Sequence, residues 1–251
     1  MSGEVLLSAS GLTKEFKGFL AVDGVNIEVR RGTVHALIGP NGAGKTTCFN
    51  LLTKFLAPSR GTITYNGIDI THRKPADIAR MGLIRSFQIS AVFSHMTVLE
   101  NVRIALQRKQ PGAFSFWTSQ SKLSVLDAEA ERLVEAVGLS EFIGITAGEL
   151  SYGRKRALEI ATTLALDPEL MLLDEPMAGM AADDVERITE LIRRVARDRT
   201  VLMVEHNLSV VATLCDVITV LARGKVLAEG DYATVSSDPR VLEAYIGAAH
   251  V

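Results

Sequence analysis

The fold of this chain is decided by the stretch Gly39-Pro40-Asn41-Gly42-Ala43-Gly44-Lys45-Thr46-Thr47, which fits the pattern G-x-x-x-x-G-K-[ST]. The preceding residues, Val34–Ile38, read as a short buried strand. Apolar residues recur at helical spacing after it, at Phe49, Leu52, Phe55 and Leu56. In a strand–loop–helix unit, glycines let backbone N–H groups and the positive helix end point at an anion. We therefore predict a loop that holds the β- and γ-phosphates of a nucleotide, with Lys45 adding a cation and Thr46 reaching Mg²⁺.

Two adjacent acids end a second apolar run. Residues 170–173 read as a buried strand that runs directly into Asp174 and Glu175. An uncompensated buried carboxylate is costly, so acids at this position should face something cationic. We predict that Asp174 holds Mg²⁺ with its water shell and that Glu175 polarises a water for attack on the γ-phosphate. The alternative reading is a pair of solvated loop acids at the start of the next helix.

Composition narrows the functional classes. The 251 residues are 47% hydrophobic and 22% charged, which is typical of a globular protein, and the net charge is −2. This balance gives no basic surface for gripping a nucleic acid backbone, so we expect no nucleic acid partner. Two isolated cysteines, Cys48 and Cys215, suit a reducing compartment. Residues 1–7 do not read as a secretion signal, and no run is long enough to span a bilayer. We expect a cytoplasmic protein.

Hydrophobic patterning predicts an α/β fold with a mainly parallel sheet. Three early runs, Val5–Ala9, Leu20–Val22 and Val25–Val29, predict short antiparallel strands that form an N-terminal β layer. The glycines Gly11, Gly18 and Gly24 are predicted to separate these strands. Pro58 and Gly61 are predicted to stop the helix that follows the phosphate loop. After residue 164, apolar strands alternate with amphipathic helices, which favours a parallel sheet covered on both faces.

A helical block interrupts this pattern. Residues 90–164 carry few β-branched runs and several amphipathic segments, with Asp127 as a predicted helix N-cap and residues 107–122 as a loop. We therefore predict one domain over residues 1–251. Its α/β core spans 1–89 and 165–251, and a helical subdomain of 90–164 is inserted into it.

A third motif makes the combination specific. Leu150-Ser151-Tyr152-Gly153 stands directly before a helical segment, where Ser151 would serve as an N-cap or the helix start would meet an anion. The order along the chain is the phosphate loop, Gln88, residues 150–153, Leu173-Asp174-Glu175-Pro176 and His206. Over essentially its whole length the chain resembles the ATP-binding-cassette (ABC) ATPases. The resemblance implies a P-loop NTPase fold with ATP and Mg²⁺ as ligands.

The resemblance also implies roles for single residues. Phe16 matches the aromatic residue that stacks on adenine, and Gln88 matches the glutamine that contacts Mg²⁺ and the attacking water. His206 matches the histidine that contacts the γ-phosphate. Ser151 and Gly153 match the signature that binds ATP held by the opposite subunit, so a head-to-tail dimer with a second ABC ATPase subunit is expected.

A narrower resemblance is to the ATPase subunits of branched-chain amino-acid importers. It is carried by residues 79–88, Tyr152 in the signature, Ala178-Gly179-Met180 and Ala244-Tyr245-Ile246-Gly247. It implies ATP hydrolysis coupled to transport, with integral-membrane permease subunits as partners and a solute-binding protein acting through them. The chain would then lie at the inner face of the cell membrane, with residues 89–101 docking the permease. Urea and amide importers have very similar ATPases, so they and importers of other amino acids remain an alternative.

The sequence departs from the usual ABC pattern at three positions. Tyr152 and Arg154 replace the usual second glycine and glutamine of the signature, and Ala181 stands where many ABC ATPases have an aspartate. Either the two ATP sites of a dimer are unequal or Asp183 takes the place of the missing aspartate.

A soluble ABC ATPase acting on DNA or ribosomes should carry coiled-coil inserts, two cassettes or a basic surface, and this sequence has none of them. A metabolic P-loop kinase or a GTPase has no use for residues 150–153.

Overall fold

Strands in the described residues form two sheets. The computed structural model describes residues 3–86, 92–108 and 120–247, with only the backbone of 120–125 and 246–247. The strands are β1 Val5–Phe16, β2 Phe19–Arg30, β3 Val34–Ile38, β4 Arg60–Tyr65, β5 Ile68–Asp69, β6 Leu83–Arg85, β7 Leu170–Asp174, β8 Thr200–Val204, β9 Val217–Ala222 and β10 Lys225–Gly230. The helices are α1 Lys45–Leu52, α2 Pro75–Arg80, α3 Val98–Gln107, α4 Gln120–Ala136, α5 Tyr152–Leu164, α6 Ala182–Val195, α7 Leu208–Leu214, α8 Tyr232–Ser237 and α9 Pro239–Gly247.

The larger sheet has the strand order β10-β9-β3-β8-β7-β6, and only its β9–β10 pair is antiparallel. Its side chains alternate between two cores. On β3, Ala36 and Ile38 face the helices α3 to α7, whereas Leu37 faces the antiparallel sheet of order β2-β1-β4-β5. Both faces are therefore covered, which is why the central strands contain almost no polar residues. The predicted α/β fold with an antiparallel layer is confirmed.

The antiparallel layer differs from the sequence prediction in one respect. Two long strands, β1 and β2, replace the three short ones. Gly11 and Gly24 lie inside these strands at φ 60° and 64°, and the pairing register shifts beside them. Glycines at positive φ are typical of β-bulges, so here they bend the strands and do not end them.

Two helix boundaries were also wrong. Helix α1 ends at Leu52, six residues before Pro58, because Lys54 takes a left-handed conformation at φ 64°. Asp127 is not an N-cap, since helix α4 begins at Gln120 and continues through it. Its carboxylate instead accepts a hydrogen bond of 3.1 Å from Arg103 on α3. Most of the loop predicted over 107–122 lies outside the described residues.

The described residues between 92 and 164 form helices and turns. Helix α3 starts with a capping box in which Thr97 and Glu100 satisfy each other's backbone N–H groups. Short 3₁₀ turns at Ser140–Phe142 and Ala147–Glu149 connect α4 to α5. These helices pack on the larger sheet through the same core as α6 and α7. Within the described part of the chain, no helix has the length and apolar character needed to cross a membrane.

Candidate functional site

Several of the predicted site residues lie at one edge of the larger sheet. Strands β3, β8, β7 and β6 are parallel neighbours, so their carboxyl ends meet at the same edge. The glycine-rich loop follows β3, the acids Asp174 and Glu175 end β7, and His206 follows β8. Ligands of open α/β sheets bind at this kind of edge. Strand order thus brings these three segments together, although they are distant along the chain.

The loop of residues 39–44 wraps around the ammonium group of Lys45. The Lys45 Nζ donates hydrogen bonds to the carbonyl oxygens of Gly39 at 2.7 Å and Pro40 at 3.0 Å. Burial lowers the pKa of Lys45, and the negative charge of Glu175 opposes that effect. The negative charge of Glu175 therefore reaches the ammonium group of Lys45.

Two glycines of this loop leave no room for a side chain. Gly39 adopts φ 147°, and a Cβ there would overlap the carbonyl oxygen of Leu221 on β9. Gly44, the N-cap of α1 at φ 99°, would meet the carbonyl oxygen of Ala21 on β2 in the same way. The loop is held between these two backbones, so its N–H groups are fixed in place before any anion arrives. Asn41 and Gly42 are exposed on its outer side, Ala43 is buried, and Thr46 and Thr47 open the helix.

The two acids that end β7 have different surroundings. Asp174 is mostly buried, and its Oδ2 lies 2.5 Å from Nη2 of Arg85 at the end of β6. Glu175 is exposed and takes a left-handed conformation at φ 44°, while its N–H donates to the carbonyl of Val204 at 2.9 Å. A non-glycine residue at positive φ is strained, and such strain is common where a side chain must be aimed at a ligand.

His206 rests on a buried acid that the sequence analysis missed. Its side chain is 60% exposed and Nδ1 lies 3.8 Å from Oε2 of Glu205. The Glu205 carboxylate is fully buried and accepts backbone N–H groups from Met177 at 3.2 Å, His206 at 2.7 Å and Asn207 at 2.9 Å. It therefore ties the loop after β7 to the loop after β8.

The start of helix α5 carries the third motif. Ser151 occupies the N-cap position, as predicted, but its side chain makes no capping hydrogen bond. Gly153 is buried, and the carboxylate of Asp184 on α6 fills the space where a Cβ would stand. Within the described residues, no hydrogen bond joins Ser151 or Gly153 to the loop of residues 39–47.

A buried ion pair connects α5 to β7. Arg156 and Glu159 are 4% and 1% exposed, and Arg156 Nη1 lies 2.5 Å from Glu159 Oε2. The second arm of Arg156 donates to the carbonyl of Asp174 at 3.2 Å. Burial raises the pKa of Glu159, and the adjacent Arg156 opposes this shift. The helix that starts at the third motif is therefore bonded to the strand that ends in the acids.

Two further residues were predicted to belong to the site, Phe16 and Gln88. Phe16 lies at the turn of the β1–β2 hairpin, paired with Phe19 and 43% exposed, with the Lys14 ammonium 5.2 Å from its ring centroid. The same hairpin touches the phosphate loop through Ala21 and Gly44. Gln88 lies outside the described residues.

A family profile described as ABC transporter matches residues 22–178. The chain belongs to the ABC transporter family. It is therefore an ATPase cassette of the P-loop class, as the resemblance implied. A second profile, described as branched-chain amino acid ATP-binding cassette transporter, matches residues 225–251.

Curated ABC relatives align along nearly their whole length. The branched-chain amino acid transport ATP-binding protein BraF of Pseudomonas aeruginosa is 39% identical over 251 residues, which cover 97% of this chain and 98% of BraF. LivG of Escherichia coli, of the same description, is 40% identical over 254 residues, with coverage of 97% and 98%. Among solved structures, the ADP conformation of the cassette MJ1267 aligns with a TM-score of 0.85 at 32% identity, covering 97% of this chain and 99% of that one.

The donor set of this ABC cassette suits Mg²⁺. Asp174 Oδ1 and the exposed Thr46 hydroxyl make no hydrogen bond to the described residues, and both are oxygen ligands of the kind that Mg²⁺ prefers. No cluster of three or more His, Cys, Asp or Glu that could hold a metal occurs in the described chain. An ion held by few protein ligands, together with phosphate oxygens and water, matches the usual coordination of Mg²⁺.

Two residues of the site, Arg85 and Glu205, were missed by the sequence analysis. A signal existed for Glu205, because an acid directly after the buried run 200–204 repeats the logic applied to Asp174. Arg85 ends the short strand β6, whose three residues give no periodic pattern, and only the pairing of β6 with β7 brings it to Asp174.

Proposed function

We propose that this chain is the ATP-hydrolysing subunit of an importer for branched-chain amino acids. The convergence of Lys45, Asp174, Glu175 and His206 at one sheet edge carries the catalytic part of the proposal. The branched-chain profile at residues 225–251 and the names of BraF and LivG support the transported substrate. Importers of urea or amides remain the alternative, since nothing in the chain itself would contact the cargo.

The site residues have distinct proposed roles in hydrolysis. The backbone N–H groups of residues 39–47 and Lys45 bind the β- and γ-phosphates, while Phe16 stacks on adenine. Thr46, Asp174 and Gln88 hold Mg²⁺, which when bound neutralises charge on the phosphate oxygens. Glu175 accepts a proton from water as the water oxygen attacks the γ-phosphorus and the bond to ADP breaks. His206 contacts the γ-phosphate, and Glu205 sets the position of His206.

The third motif supports a dimeric arrangement. In this proposal Ser151 and Gly153 bind ATP held by a second ABC ATPase subunit, either another copy or a homologous chain. Among the described residues, Ser151 and Gly153 make no hydrogen bond to their own phosphate loop, which is consistent with that role. Residues 90–164 act as the helical subdomain that contacts permease subunits, and the permease in turn receives cargo from a solute-binding protein. The chain would lie in the cytoplasm, at the inner face of the cell membrane.

Replacement of the proposed general base tests the catalytic assignment. Glu175→Gln keeps the shape of the side chain and removes its basicity, so we expect ATP to bind with little change while its turnover falls by about 100-fold or more. The matched control is Glu141→Gln, an exposed acid in a 3₁₀ turn, which should hydrolyse ATP like the parent chain. Near-normal turnover in Glu175→Gln would contradict the assignment.

Uptake measurements test the substrate. A strain that lacks this chain is complemented with the parent gene or with Glu175→Gln, and uptake of radiolabelled leucine and of radiolabelled urea is measured. We expect only the parent gene to restore leucine uptake. Restoration of urea uptake alone would move the proposal to the alternative.

A further inference from the structure

Asp174, the proposed ligand of Mg²⁺, is already paired with a cation of the chain itself. Arg85 Nη2 lies 2.5 Å from Asp174 Oδ2, and the two side chains are only 17% and 14% exposed. The other arm of the same guanidinium donates to Oδ1 of Asn50 on α1 at 2.6 Å. A single arginine thus joins the ends of β6 and β7 to the helix that follows the phosphate loop.

Aromatic rings fix the position of this guanidinium. Its carbon lies 5.0 Å from the ring centroid of Phe49 and 5.3 Å from that of Phe55. Both distances fall within the range of a cation–π interaction. The planar fork that binds Asn50 and Asp174 and also stacks on rings is a property of arginine that lysine does not share. The position of the Arg85 guanidinium is therefore fixed by several contacts inside the protein.

When two cations interact with the same carboxylate, the interaction with one changes the affinity for the other. Loss of Arg85 would leave Asp174 mostly buried without a counter-ion, which is unfavourable until another positive charge arrives. Arg85 stabilises the Asp174 carboxylate when Mg²⁺ is absent. The binding of Mg²⁺ to this carboxylate is therefore less favourable, by the same free energy, than it would be without Arg85. Oδ2 faces Arg85 while Oδ1 accepts no hydrogen bond from the described residues, so both cations are able to share the group.

We propose that Arg85 is a positioning residue that acts as the resident counter-ion of Asp174, orienting its carboxylate between nucleotide-bound states and weakening the affinity for Mg²⁺. The inference rests on the proposed role of Asp174 and deepens it. A purely structural ion pair makes a different prediction: its removal would lower stability by the same amount with and without Mg²⁺.

Thermal unfolding of the full chain with saturating ADP tests this proposal. Arg85→Met, Asp174→Asn, their double variant and the parent chain are compared in EDTA and at increasing Mg²⁺ concentrations. In EDTA, we expect Arg85→Met to unfold at a lower temperature than the parent, and the double variant to recover most of this loss. With Mg²⁺, the concentration that gives half of the full stabilisation should fall at least about five-fold in Arg85→Met.

The control is a second Arg–Asp pair. Arg80→Met breaks the Arg80–Asp77 pair, whose side chains are 71% and 44% exposed, and should leave the Mg²⁺ dependence unchanged. An unchanged or higher half-saturating Mg²⁺ concentration in Arg85→Met overturns the inference about Arg85. If Asp174→Asn responds to Mg²⁺ like the parent, the proposed metal site itself is wrong.

A second variant covers a failure of Arg85→Met to fold. Arg85→Gln keeps a hydrogen-bond donor beside Asp174 and removes the charge. A lower half-saturating Mg²⁺ concentration than in the parent supports the proposal, and an equal or higher one overturns it.

Discussion

The buried carboxylate of Glu205 accepts a hydrogen bond of 3.2 Å from the backbone N–H of Met177, 28 residues earlier in the chain. The same carboxylate binds the N–H groups of His206 and Asn207, so one acid holds both loops that carry the proposed catalytic side chains. Because all three donors are backbone groups, this link depends on the charge and reach of Glu205 and on no other side chain.

Glu205→Gln is expected to uncouple the two loops. An amide accepts through one oxygen only and directs N–H groups at donors, so at least one of the three hydrogen bonds is lost. Displacement of His206 by about 1 Å would lower kcat by about 100-fold, since catalysis is sensitive to small misplacements. Steady-state ATPase kinetics measure this effect, with Glu190→Gln as the exposed control. Equal kcat values for the two variants would show that Glu205 does not position the site.

Lys45→Ala is expected to weaken ATP binding by at least about 30-fold, because truncation of a partly buried charge that faces an anion costs about 2 kcal/mol or more. Isothermal titration calorimetry with ATP and Mg²⁺ measures the change. Lys74→Ala, an exposed lysine at the start of α2, is the control. Unchanged affinity in Lys45→Ala would remove the lysine from the phosphate site.

Gly39→Ala and Gly42→Ala should differ strongly. At Gly39 a methyl group would overlap the backbone of Leu221, so the loop must shift and ATP binding should be lost. At Gly42, where φ is 75° and nothing lies within 4 Å of an added Cβ, the cost is conformational and about 1–2 kcal/mol. Calorimetric ATP binding and denaturant unfolding of both variants check this contrast. Similar ATP affinities would indicate a loop that is less constrained than the structure shows.

Stability should depend on pH through His35. This histidine is 1% exposed on β3 and bonds to Thr219 at 2.7 Å, and burial lowers its pKa to about 4 from a usual value of 6.5. Between these two values the unfolded chain binds the proton more readily, so stability that is complete above pH 6.5 declines as the pH falls toward 4. The loss between pH 7.5 and pH 5 is about 2 kcal/mol from this group.

Urea unfolding of His35→Asn and of the parent chain at pH 5 and pH 7.5 measures this contribution. The free energy of unfolding should change less between the two pH values in the variant. His72→Asn, an exposed position, should keep the pH dependence of the parent. An unaltered pH dependence in His35→Asn would show that burial does not lower the pKa of this imidazole in the folded chain.

Local patterns predicted the parts of the fold that depend on neighbours in sequence. The strand, loop and helix around Lys45 and the strand that ends at Asp174 follow from apolar runs and glycines. Gly11 and Gly24 were misread because a glycine that bulges a strand and one that ends it look alike until the partner strand is known. Arg85 was missed for a related reason, since its significance comes from strand order and not from its own surroundings in sequence.

A carboxylate from the same chain fills one side of the start of helix α5. The carboxylate of Asp184 closes the inner flank at the start of α5, while Ser151 and Tyr152 remain exposed on the outer flank. In the proposed dimer, a nucleotide held by a second subunit would therefore meet the exposed residues Ser151 and Tyr152. A side chain on Gly153 would have to displace this carboxylate, so the shape of the helix start depends on the spacing of α5 and α6 within one subunit.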